Sequence, residues 1–168
     1  MEPSAHAFID PKISFLKQAK LQAQVIVPIL HALRERLGKA EADELLAGAL
    51  REWSREQFRR AAEAATGPKL DNWKRIWADV LEKIDDGFEM DMLAQDDTSQ
   101  DFDVTRCPYA EFFRALDEPE LGALLLCEPD IHLAEEVGGE DVQFARTQTI
   151  MEGAANCDFR IRLKTGGA

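Results

Sequence analysis

Apolar residues in the first half of the chain recur every three or four positions, which predicts helices. From about Pro11 to Leu37 the repeat is Ile13, Leu16, Ala19, Ala23, Ile26, Leu30, Leu33 and Leu37. Pro11 suits the start of this run and Gly38 its end, while Pro28 inside it predicts a kink or break. A second run, Ala40 to Ala65, carries Leu45, Leu46, Ala49, Leu50, Trp53 and Phe58 and stops at Gly67-Pro68. The third is the most regular: Trp73, Ile76, Trp77, Val80, Leu81 and Ile84 make one wide apolar stripe.

The period then drops to two. Phe88, Met90 and Met92 alternate with acidic residues, as do Phe102 and Val104, with a polar turn near Asp96 to Ser99 between them, so a hairpin is expected. Short helices are expected from Pro108 to Leu116 and from Pro119 to Glu136, the latter interrupted at Pro129. Val142, Phe144, Arg146, Gln148 and Ile150 read as one face of a strand. Gly153 to Asn156 is turn material. Cys157, Phe159, Ile161 and Leu163 form the inner face of a last strand. Helices first, then strands with helices inserted, predict an α+β fold with a small, mainly antiparallel sheet. A length of 168 residues fits one domain spanning 1–168, with a flexible leader over 1–10 and a frayed tail over 165–168.

Charge narrows the class of partner. The chain has 32 acidic against 20 basic residues, a net charge of −12. Nucleic acid and anionic membrane surfaces are repelled at long range, so neither is expected as a partner. No apolar run approaches the ~18 residues of a membrane span, and no signal-peptide pattern opens the chain, so a cytoplasmic location is expected. The amphipathic helices would serve a homo-oligomer as well as a core. Residues 85–103 hold eight Asp or Glu and no basic residue. Clustered carboxylates suit a hard cation, but the spacing is not that of a calcium loop, and a solvated hairpin whose charges oppose edge pairing is the plainer account.

The chemistry-bearing residues concentrate towards the C-terminus. Cys107, Cys127 and Cys157 are an odd number without Cys-x-x-Cys spacing, which argues against a disulfide framework or a zinc knuckle. Each can be read as a small buried hydrophobe. Together with His132 they would make a zinc site if the fold gathered them. Cys157, at the mouth of a strand, would be a nucleophile if a neighbouring cation such as Arg106, Arg146 or His132 lowered its pKa. Arg146, sharing parity with Val142 and Phe144, is a fork for a carboxylate, a buried ion-pair partner or, if the strand is two-faced, simply exposed. His6 and His31 are poor ligand candidates, lying in the leader and on the first helical run.

Four short motifs in order carry a resemblance: Thr105-Arg106-Cys107-Pro108-Tyr109, Leu126-Cys127-Glu128-Pro129-Asp130, Arg146-Thr147-Gln148-Thr149, and Gly153 with Cys157-Asp158-Phe159-Arg160. With these spacings the segment from about 100 to 163 resembles the L-2-amino-thiazoline-4-carboxylic acid hydrolase family. A more distant likeness runs to small-molecule-binding domains related to the vinyl reductases of chlorophyll synthesis. The first resemblance implies a hydrolase that opens a small cyclic amidine to a carbamoyl amino acid. It implies Cys157 or Cys127 as nucleophile, or as ligands of a metal that activates water. Asp130 and Asp158 become acceptors for the amidinium or the general base; His132, which matches no motif position of the family, is a candidate general acid. Arg146 or Arg106 would pair with a substrate carboxylate, and Thr149 and Cys107 would complete the substrate site. No cofactor is needed if a cysteine attacks; zinc is the alternative. A non-catalytic binding module is the competing reading, since an aromatic helix over a small sheet builds a cavity.

Overall fold

The computed structural model describes residues 13–84 and 87–164. The proposed leader, its His6, the helix start at Pro11 and the terminal tail lie outside the described residues. Three helices come first: α1 (Phe15–Leu37), α2 (Lys39–Ala64) and α3 (Lys69–Leu81). Only Gly38 separates α1 from α2, and its φ of +85° lies in the region open to glycine without strain. Pro28 does not end α1. Pro28 and Gln24, whose carbonyl loses its partner four residues on, are both exposed, so water can take that bond.

The remaining elements are β1 (Glu89–Gln95), β2 (Ser99–Arg106), α4 (Pro108–Ala115), α5 (Pro119–Gly122), α6 (Glu128–Leu133), β3 (Val142–Ala145) and β4 (Cys157–Leu163). The fold is α+β, with four antiparallel strands in the order β1-β2-β4-β3. Turns of π-helix over Ala123–Cys127 and Ala134–Gly138 join α5 to α6 and extend α6. The helical path thus continues through Pro129, where the sequence predicts an interruption. The Glu128 N–H bonds back to the Ala123 carbonyl, and this wider turn makes room for a ring that would otherwise crowd the Leu125 carbonyl.

The hairpin forms around Asp96, whose carboxylate accepts from the Thr98 N–H and hydroxyl. Register shifts between Met92 and Ala94 break the simple alternation in β1 and leave both Met92 and Leu93 well exposed. β3 is also shorter than its pattern suggests. Gln148 and Ile150 lie outside it, because the Asp158 carboxylate accepts the N–H groups of Thr147 and Gln148 in place of a strand partner.

One sheet face is apolar by register: Phe102 opposes Phe159, Val104 opposes Cys157, and Phe144 opposes Ile161. It packs against Trp73 and Trp77 of α3 and Leu133, Ala134 and Val137. Phe102 stacks on Phe159 at 4.6 Å and Trp77 on Phe102 at 5.2 Å between ring centres. On the other face, Arg160 pairs with Asp103 at 2.8 Å, and Arg162 pairs with Asp101. Part of the acidic hairpin is therefore neutralised by β4 instead of being free in water. A second buried cluster joins Ala19 and Ala23 of α1 to Tyr109, Ala110 and Phe113 of α4, with Leu121, Leu125 and Met151.

Candidate active site

Antiparallel pairing brings four chain segments to one end of the sheet. Glu89 opposes Arg106 and Val104 opposes Cys157. Phe88, Cys107 and Cys157 therefore sit at the same edge, together with Arg146, the residue after β3. The helical segment from 119 to 138 crosses this end and presents Cys127 and Asp130, three apart and so on one helix face. Between them and α1–α3 lies a cavity of about 350 Å³, in the seam between the two buried clusters.

Cys107, Cys127, Asp130, Arg146 and Cys157 all line this cavity. Arg146 Nη1 donates to Asp130 Oδ2 at 2.7 Å, and Nη2 donates to the Cys127 carbonyl at 3.0 Å. The guanidinium also lies over the Phe159 and Phe144 rings, 5.2 and 5.8 Å from their centres. Burial raises the Asp130 carboxyl to about 6, against the opposing pull of Arg146. Its side chain keeps 17% exposure through the cavity. Burial thus makes Asp130 a weaker acid than an ordinary carboxyl, the kind of perturbation that clusters at functional sites.

The thiols behave differently from an activated nucleophile. Burial pushes Cys107 up to about 11, although it caps α4 and has the Tyr109 and Ala110 N–H groups nearby. Burial also raises Cys127, with Asp130 adding to the effect. Cys157 is raised by burial despite the Ile150 N–H, which donates to its Sγ at 3.2 Å, and despite Arg146. The lowered pKa expected for a resting Cys157 thiolate is absent: desolvation outweighs the cation.

The other expected site residues have partners elsewhere. His132 is buried, hydrogen-bonded through Nδ1 to Ser54 of α2 at 2.9 Å, and pushed down by burial and Arg55. It locks α6 to α2, and its partner Ser54 reaches the cavity wall. Asp158 braces the 147–148 loop and is held below the ordinary carboxylate range, burial being outweighed by the Thr147 and Gln148 donors. The Thr149 hydroxyl donates to Glu152 Oε2 at 2.8 Å and accepts from the Glu152 N–H, closing a turn. Arg106 is about half exposed and pairs with Glu111 and Glu89. The proposed zinc set is not assembled: among the described residues no three of His, Cys, Asp and Glu come close enough to hold a metal ion.

Pattern reasoning misses part of the lining. Gln18 and Gln22 of α1, Ser54 and Gln57 of α2, and Tyr109 also line the cavity. A usable signal exists in α1, where Gln18 and Gln22 fall beside Ala19 and Ala23, polar positions on an otherwise inward face.

A partly open, mainly apolar cavity with one convergent charged pair has the form of the pockets in which small molecules bind. The chain matches the family model of the L-2-amino-thiazoline-4-carboxylic acid hydrolases over residues 18–161, and it belongs to that family. No curated protein and no solved structure matches it. Among the described residues, no helix is long and apolar enough to cross a membrane.

Proposed function

We propose that this protein hydrolyses a cyclic amidine of the 2-amino-thiazoline type in the cavity at the end of the sheet. The carrying observation is convergence: Cys107, Cys127, Asp130, Arg146 and Cys157, from the four separated motifs that carry the resemblance, line one cavity, with Asp130 and Arg146 paired. Since burial keeps the thiols protonated, water is the nucleophile this reading favours, and Asp130 is its base. The water oxygen bonds to the ring carbon between sulfur and nitrogen. Asp130 takes one of its protons and passes it to the ring nitrogen. The C–S bond then breaks, the carbon becomes a carbamoyl carbonyl, and the second proton goes to sulfur. Arg146 aims Asp130 and favours its ionised form.

Mass spectrometry of the purified protein incubated with L-2-amino-thiazoline-4-carboxylate and related cyclic amidines tests this reading. The expected product is heavier by one water, and Asp130→Asn abolishes it while the fold persists. Loss of turnover in Cys157→Ala with Asp130→Asn active would instead make the thiol the nucleophile. The mainly apolar lining also suits a binding module. That reading predicts a rise in melting temperature with ligand and no product.

A further inference from the structure

We infer that the substrate carries an apolar body and no carboxylate, in contrast to the small amino-acid-like ring in the family's name. The inference rests on the hydrolase reading above and specifies its substrate class.

Charge is the first argument. Asp130 and Arg146 are the only charged residues among the described residues that line the cavity, and they neutralise each other at 2.7 Å. The Arg146 side chain is 7% exposed and already holds the Cys127 carbonyl and two aromatic faces. Among the described residues a substrate carboxylate entering this space finds no spare cation, and an unpaired buried charge is strongly disfavoured.

The walls are the second. Helices α1–α3 contribute Phe15, Trp53, Phe58, Trp77 and Val80 to the cavity, Ile84 follows just after α3, and none of the three helices adds a charged residue. These apolar surfaces reward an aryl or branched alkyl group with burial and offer a carboxylate no cation. Size agrees. A volume of about 350 Å³ is roughly ten times the ~30 Å³ share of one water in the liquid, more than a single substituted five-membered ring needs. Trp53 both lines the cavity and is 44% exposed, so it marks the entrance. Gln18, Gln22 and Gln57, uncharged, line the cavity from α1 and α2.

The test compares 2-amino-thiazoline-4-carboxylate with analogues in which phenyl, benzyl or isobutyl replaces the carboxylate, using the full chain. The expected result is a kcat/KM at least about ten-fold higher for the apolar compounds, the scale of discrimination that apolar pockets achieve. Val80→Phe, which fills part of the wall, shrinks that ratio. Turnover of the carboxylate at an equal or higher kcat/KM overturns the inference and leaves the hydrolase reading standing. If no compound is turned over, the hydrolase reading fails and melting temperature decides the ligand class. Shifts with the apolar compounds but not with the carboxylate support it; equal shifts, or none, overturn it.

Discussion

Arg146 and Asp130 bridge the end of β3 and helix α6, Nη1 to Oδ2 at 2.7 Å, and among the described residues no other charged side chain lines the cavity. The two residues respond differently to loss of the partner. A guanidinium stays charged whatever its surroundings, whereas a carboxyl already raised to about 6 can escape by binding a proton. Removing Arg146 takes away the group that opposes burial, so the Asp130 pKa in the folded variant rises further. Above about pH 6 the wild-type carboxyl is ionised, but the variant must hold a proton that its unfolded state releases. The destabilisation of Arg146→Leu therefore grows with pH, reaching about 3 kcal/mol or more at pH 8, the scale of a broken buried pair. Urea midpoints at pH 5.5 and 8 measure this; a penalty independent of pH would show that Asp130 does not titrate in the cavity.

The same carboxyl sets a rate profile. If ionised Asp130 takes the proton of the attacking water, kcat/KM falls tenfold per pH unit below about 6. Its stability contribution has the opposite sense. The folded pKa is raised above the unfolded value, so the group's contribution becomes less favourable as pH rises from about 4 to 6. Activity and this share of stability therefore move in opposite directions over that interval. A pH–rate profile alongside denaturation midpoints checks both.

The three thiols, raised by burial, should resist alkylation. At pH 7.5 iodoacetamide is expected to modify Cys107, Cys127 and Cys157 at least about tenfold more slowly than free cysteine, whose pKa is near 8.5. Rapid labelling of Cys157, followed by peptide mass spectrometry, would restore it as the resting nucleophile.

Periodicity locates most elements because burial selects one face of each. β4 runs over Cys157–Leu163 as the alternation implies, and α3 buries Trp73 and Trp77 from one stripe. The misreadings arise where a side chain replaces a backbone partner. Parity carries β3 past Ala145, but the Asp158 carboxylate takes the next N–H groups, which also removes Asp158 from the cavity. Pro129 reads as a break, yet a π turn absorbs it. Within the site, the grouping of Cys127 with Asp130 follows from helical spacing alone. Their meeting with Arg146 and Cys157 depends on strand order, which no local pattern encodes. His132 is held by Ser54, 78 residues distant in the chain, a contact equally invisible to local spacing.

Two glycines in helical segments predict opposite effects. At Gly48, within α2, an added Cβ would meet nothing within 4 Å, so Gly48→Ala should stabilise by up to about 1 kcal/mol through helix propensity. Gly122 has a helical φ of −60°, but an added Cβ would lie 2.7 Å from Met151 Sδ and from Cβ and Cγ of the fully buried Phe113. Met151 can yield, whereas the Phe113 Cβ is fixed by α4. Gly122→Ala should therefore destabilise by about 1–3 kcal/mol, and melting curves of the two variants should shift in opposite directions.

Glu118 offers a prediction at acid pH. Its Oε1 accepts from Arg34 Nη1 at 2.6 Å and meets His31 Nε2 at 2.7 Å, and Arg34 Nε continues to Asp43 at 2.6 Å. The carboxylate thereby ties the turn before α5 to the α1–α2 hairpin, with its side chain 4% exposed. Burial alone would raise the Glu118 pKa; the donors from Arg34 and His31 outweigh it and hold the carboxyl below its ordinary range. A depressed folded pKa stabilises fully above the unfolded value of about 4.3, and the benefit disappears as pH falls through the folded pKa. Glu118→Gln keeps the shape but loses the charge-assisted bond, so it should cost about 1.5–3 kcal/mol at pH 7. At pH 3 the gap should narrow, because the wild-type carboxyl is then itself being protonated. Denaturant midpoints of wild type and variant at both pH values decide the matter: an unchanged gap would mean that the variant acts through packing and not through the charge of Glu118.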